Sequence, residues 1–142
     1  MSTVAEILQR KGPVFNYIDV NTLVIHALSS MKARNLSYLV VQKNSEYVGL
    51  VSERDYAHKI ILMNKTSDTT TVGEIMSTNL PVVDISTPIS DCMVMMNNLQ
   101  SRYLPVFDKS QFVGVITIHD LLRQAIRQSQ EVELVESESV IY

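Results

Sequence analysis

Two pairs of side chains have the types and spacing to handle a small polar ligand: Ser52 with Asp55, and Thr117 with Asp120, each a hydroxyl followed three residues later by a carboxylate. Both pairs close the same string. Val48 Gly49 Leu50 Val51 Ser52 Glu53 Arg54 Asp55 and Val113 Gly114 Val115 Ile116 Thr117 Ile118 His119 Asp120 read apolar, glycine, two apolar, hydroxyl, two variable residues, aspartate. The glycines are 65 residues apart and so are the aspartates, which marks a duplicated unit. An apolar run ending in hydroxyl-x-x-Asp fits a strand entering a capped helix, where the two side chains satisfy orphan amides and complement the helix dipole without any ligand. The same geometry can bind. Amides at a helix start reach phosphate oxygens, and a carboxylate accepts both hydroxyls of a ribose, at roughly 1.5–3 kcal/mol for each charge-assisted bond. The string by itself leaves both readings open.

Other chemistry finds little material. His26, His58 and His119 fall on different elements, so no nucleophile–base pair is expected and no residue is assigned a catalytic role. The lone cysteine, Cys92, aligns with Ala27 on an apolar helix face and reads as a small buried hydrophobe. Met93, Met95 and Met96 share that helix and read as core or subunit contact. No Cys/His cluster has metal-ligand spacing, so no metal is expected.

The elements that must position the two strings also repeat. Thr3 Val4 Ala5 Glu6 Ile7 Leu8 is answered 68 residues later by Thr71 Val72 Gly73 Glu74 Ile75 Met76. Thr-x-x-Glu predicts a capping box on a short helix opening each repeat. Val14 to Val20 and Val82 to Ile85 read as short strands. Helices follow, opened by Thr22 and by Thr87 with Pro88 in the first turn, and carrying Leu23, Val24, Ala27, Leu28 and Met31 or Ile89, Cys92, Met93 and Met96. Tyr38 to Val41 and Tyr103 to Val106, with polar turns at Gln42 to Glu46 and Asp108 to Gln111, pair with the glycine strands as hairpins. Each aspartate is then followed by an apolar helical stripe. The unit is β-α-β-β-α, used twice, in an α/β chain of α+β type. We place repeat one over 1–66, repeat two over 67–128, and an acidic tail over 129–142, read as frayed with docking onto a partner subunit as the alternative; Asn64 to Thr71 is the polar connector.

Bulk properties narrow the class. The chain of 142 residues is long enough to bury a core, and 46% hydrophobic with 19% charged residues is a compact composition. A net charge of −3 with no basic stripe argues against nucleic acid as partner. No apolar run reaches membrane-span length and no signal-peptide core opens the chain; with one cysteine, the expectation is a cytoplasmic protein off the membrane.

The doubled Gly-x-x-[Ser/Thr]-x-x-Asp ending on a β-α-β-β-α repeat resembles a pair of CBS domains, the tandem arrangement called a Bateman module, over about residues 3–127. The short length and the Ser52 to Ala57 run resemble stand-alone bacterial members. The resemblance implies two repeats packed through their sheets by a pseudo-twofold, with two clefts for an adenosine-containing ligand: AMP, ADP, ATP, NAD or S-adenosylmethionine. It implies that Asp55 and Asp120 hold ribose, with Ser52 and Thr117 near ribose or phosphate. Val14, Phe15 and Tyr38 would wall the Asp120 cleft, and Leu80 and Tyr103 the Asp55 cleft. Arg54, His119 and Arg102 are the implied phosphate partners. Ser37 stands where repeat two has Arg102, so the clefts are expected to be unequal. The function implied is a non-enzymatic adenine-nucleotide sensor, acting as a homodimer stacked into a flat disc and needing no catalytic cofactor. Two alternatives are a ligand-free dimerisation scaffold and an enzyme of nucleotide turnover.

Overall fold

The structure, a computed structural model, describes residues 2–140 of the chain, with side chains over residues 2–131. In chain order the elements are α1 (Val4–Lys11), β1 (Tyr17–Asp19), α2 (Val24–Arg34), β2 (Tyr38–Lys43), β3 (Glu46–Ser52), α3 (Glu53–Tyr56) running into a π-helical turn at Ala57–Ile61, α4 (Val72–Ile75), β4 (Val83–Asp84), α5 (Ile89–Leu99), β5 (Tyr103–Asp108), β6 (Gln111–Thr117) and α6 (Ile118–Val140). The mixed α/β architecture and its two repeats are those expected. Two three-stranded sheets carry it, β1-β2-β3 and β4-β5-β6, in which the first strand is parallel to the second and the second antiparallel to the third.

The hairpin registers are copies of each other. Leu39 faces Val51 and Leu104 faces Ile116, and a register shift follows at Val41/Gln42 and at Val106/Phe107. Each hairpin turns through two residues of positive φ, Asn44 (53°) with Ser45 (65°) and Lys109 (49°) with Ser110 (69°). Two left-handed residues match the twist of the flanking strands but cost a side chain about 1–2 kcal/mol. Ser45→Gly and Ser110→Gly are therefore each expected to stabilise the protein by about 0.5–1 kcal/mol in urea unfolding. A loss would show that the serine side chains hold the turns.

Packing divides the chain into two units, Val14–Asn79 and the pair of segments Met1–Pro13 and Leu80–Tyr142. The leading helices have thus changed places relative to the sequence repeats. The core of the discontinuous unit sets Val4 and Ile7 of α1 among Val83, Ile89, Cys92, Leu104, Ile116 and Leu121. The core of the continuous unit sets Val72 and Ile75 of α4 among Val24, Leu39, Val51 and Ile60.

Helix starts are satisfied differently from the expectation. The Thr71–Glu74 capping box forms, with the Thr71 amide donating to Glu74 Oε2 at 2.7 Å, and these bonds hold the Glu74 carboxyl below its usual range. Thr3 forms no such box. Main-chain carbonyls reach its helix first: the Val4 amide donates to Thr87 O and the Ala5 amide to Ile85 O, both at 3.0 Å. Nor do Thr22 and Thr87 cap α2 and α5, whose cap positions are Leu23 and Pro88. The Thr87 hydroxyl accepts instead from the Asp84 amide, and the α2 amides of Val24 and Ile25 donate to Thr70 O and Ser67 O of the polar connector. Orphan amides need an acceptor and a carbonyl serves as well as a hydroxyl. Two strands are shorter than read, because β1 and β4 begin only at Tyr17 and Val83. Residues 129–140, read as a frayed tail, continue α6. That stretch holds no Gly or Pro and several strong helix formers; residues 141 and 142 lie outside the described part.

Candidate functional site

Each motif sits where a buried strand hands over to a helix. The last four residues of β3 and of β6 are buried, which fixes where Ser52 and Thr117 lie. The following helix start is pinned to the neighbouring strand's approach: the Glu53 amide donates to Ser37 O at 3.1 Å and the Ile118 amide to Arg102 O at 3.0 Å. Both aspartates turn back into this corner and are only 5% exposed.

The Asp55 carboxylate receives four donors. Oδ2 accepts from the Ser52 amide at 2.9 Å and the Ser52 hydroxyl at 3.1 Å, while the Asp55 amide donates to Ser52 Oγ at 3.3 Å, closing a capping box. Oδ1 accepts from Lys59 Nζ at 2.9 Å and from the Ser77 hydroxyl at 2.7 Å. Lys59 also donates to Ile75 O at 2.9 Å. At Asp120, Oδ2 accepts from the Thr117 amide and from Lys11 Nζ, both at 2.9 Å, and Oδ1 from Arg123 at 3.3 Å. Lys11 donates further to Val115 O at 2.8 Å. The capping role is therefore real in both copies, and a lysine joins each carboxylate from a different element: α1 in one unit, the π-helical turn in the other.

The other proposed ligand contacts distribute by unit. Tyr38 lies directly across the hairpin from Ser52, and Tyr103 across from Thr117. Val14, Phe15 and Tyr38 belong to the unit that carries Asp55, and Leu80 and Tyr103 to the unit that carries Asp120. Phe15 is 64% exposed, with the Arg34 guanidinium 5.9 Å from its ring centre. Arg54, Arg102 and His119 are exposed around the motifs.

Sequence reasoning missed Lys11, Lys59, Ser77 and Arg123. Lys59 and Arg123 carry a legible signal, four and three residues after their aspartates on a helix. Lys11 and Ser77 carry none, being 109 and 22 residues from theirs.

Cys92 is fully buried in its core, and burial, aided by the Asp91 charge, pushes its thiol up to about 11. It is therefore expected to resist iodoacetamide in the native protein at pH 8 and to react in urea; rapid native labelling would show that α5 opens. Among the described residues no helix is long and apolar enough to cross a membrane.

Comparison with known proteins meets this architecture directly. The CBS domain family model matches twice, at residues 4–62 and 72–127. The chain is 27% identical over 139 residues to the mitochondrial CBS domain-containing protein CBSX3 of Arabidopsis thaliana, covering 92% of this chain and 68% of that one. It is 28% identical over 104 residues to CBS domain-containing protein YhcV of Bacillus subtilis, covering 73% and 74%. A solved CBS-domain protein from Burkholderia ambifaria superposes with a TM-score of 0.81 at 33% identity, covering 89% of this chain and 95% of that one. With two buried motif carboxylates at equivalent strand ends, and the family model matching once in each half, this chain belongs to the CBS-domain family as a tandem pair.

Proposed function

We propose that this CBS pair is a non-enzymatic regulatory module that binds an adenosine-containing ligand, drawn from AMP, ADP, ATP, NAD and S-adenosylmethionine, and acts in the cytoplasm as a homodimer. One observation carries the reading. Each motif sets a carboxylate 2.9 Å from a lysine ammonium that is partly exposed, at 30% for Lys11 and 43% for Lys59. Sugar hydroxyls need an acceptor and phosphate needs a cation, and both stand at one strand end. Arg54, His119 and Arg102 supply further charge nearby on this reading, with the aromatic and apolar side chains of Phe15, Tyr38, Val14, Leu80 and Tyr103 for the base. Ligand would act as a signal only through different affinities for two states of the module.

The scaffold reading retains one specific support, the complete set of donors around Asp55, which satisfies that carboxylate without any ligand. Thermal unfolding separates the two. At 100 times its dissociation constant a ligand adds about 2.7 kcal/mol, which for a chain of this size raises Tm by about 5–11 °C. No shift with any of the five compounds would favour the scaffold. Turnover of bound ATP or NAD would favour an enzyme.

Support for the homodimer comes from apolar side chains left exposed after both motifs. Ile61, which ends the π-helical turn, and Leu62 and Met63 in the turn that follows are 58%, 73% and 64% exposed, and Leu122 and Ile126 of α6 are 53% and 58%. Sedimentation is expected to give twice the chain mass, and a Leu122→Asp/Ile126→Asp variant the chain mass alone. Monomeric wild-type protein would remove the dimer from the proposal.

A further inference from the structure

The two motif aspartates are not equally able to accept a ligand, and the difference begins with helix length. In α1 the run Leu8 Gln9 Arg10 Lys11 is made of good helix formers, and the helix continues to Lys11. In α4 the corresponding run is Met76 Ser77 Thr78 Asn79, poorer in helix formers, and the helix stops at Ile75. The chain then runs beside β3, where Ser77 exchanges both main-chain bonds with Leu50: its amide donates to Leu50 O at 2.7 Å and its carbonyl accepts from Leu50 N at 3.1 Å. That pairing delivers the Ser77 hydroxyl to Asp55.

A carboxylate offers about four acceptor positions, and a ribose diol claims two of them. At Asp55 the four donors described above take them all, and the main-chain pairing with Leu50 keeps the Ser77 hydroxyl within reach of Oδ1. At Asp120 three donors arrive among the described residues, and two of them share Oδ2. Among the described residues Oδ1 meets one bond, the 3.3 Å bond from Arg123, whose side chain is 68% exposed and can trade that bond for water. The Thr117 hydroxyl makes no bond to the carboxylate and accepts from the Asp120 amide instead. We infer that the chain holds one nucleotide, at Asp120, and that Ser77 with Lys59 keeps Asp55 closed; this rests on the adenosine-ligand reading.

Isothermal titration of the full-length protein with AMP and with ATP tests it. The expected result is one nucleotide per chain. Asp120→Asn, checked for folding by circular dichroism, should weaken that binding at least tenfold. A Ser77→Ala/Lys59→Gln variant should take up a second nucleotide per chain, which tests the closure even if the Asp120 variant fails to fold. Two nucleotides per wild-type chain, a single site that survives Asp120→Asn, or a double variant that still binds only one would overturn the inference and leave the adenosine-ligand reading standing. No binding by the wild type or the double variant would remove both.

Discussion

Asp55→Ala is expected to lower the free energy of unfolding by about 3 kcal/mol. The loss has two main sources. The buried Ser52 amide, whose bond is the half of the α3 capping box that depends on the Asp55 side chain, loses its acceptor at 2.9 Å, and an unsatisfied buried donor costs about 1–3 kcal/mol. The Ser77 hydroxyl loses its carboxylate as well. The Lys59 pair adds little, because a side chain 43% exposed is largely repaid by water. Asp120→Ala should cost less, about 2 kcal/mol, since among the described residues Oδ1 there holds one long bond. Urea unfolding with an unchanged m-value is the measurement. A loss below about 1 kcal/mol at Asp55 would show that the capping box is dispensable.

The second large effect concerns the motif glycines, which look interchangeable in sequence and are not. A Cβ on Gly49 would lie 2.8 Å from Ser77 O and 3.1 Å from Met76 Sδ. The oxygen is backbone and is tied to Leu50, so relief requires prying Ser77 off β3 with both of its main-chain bonds. A Cβ on Gly114 would lie 2.8 Å from Leu8 Cδ2, the far end of a side chain that can rotate. Gly49→Ala should therefore cost about 3 kcal/mol and Gly114→Ala about 1 kcal/mol, the top and bottom of the usual range for overpacking. Equal losses at the two positions would mean that the strand-to-segment contact at Ser77 yields as easily as a leucine side chain.

Much of the fold was legible because it is local and repeated. The apolar runs of β2 and β3, the turns after Lys43 and Asp108, and the hydroxyl-x-x-Asp junctions are each settled within a few residues, and a second copy in register supports the reading of the first. Capping at Thr3, Thr22 and Thr87 was misread for a related reason. Side-chain patterns show which residues could cap, but not that Thr87 O, Ile85 O, Thr70 O and Ser67 O arrive first. The candidate site divides in the same way. Asp55 and Asp120 announce themselves, and Lys59 lies one helical turn on, but Lys11 reaches Asp120 only because α1 packs on the other repeat's sheet. Nothing in the spacing of Thr3 to Leu8 shows which sheet that helix will choose.

The exchange of leading helices also sets a timetable for biosynthesis. The segment from Val14 to Asn79 is continuous and holds its own core, so it can close as soon as it has left the ribosome. Val4 and Ile7, by contrast, must wait for Leu104 and Ile116, about 100 residues later, which at about 5–20 residues per second is roughly 5–20 s. A helix of eight residues has little stability by itself. During that interval Val4 and Ile7 have no core to enter and are available to chaperones.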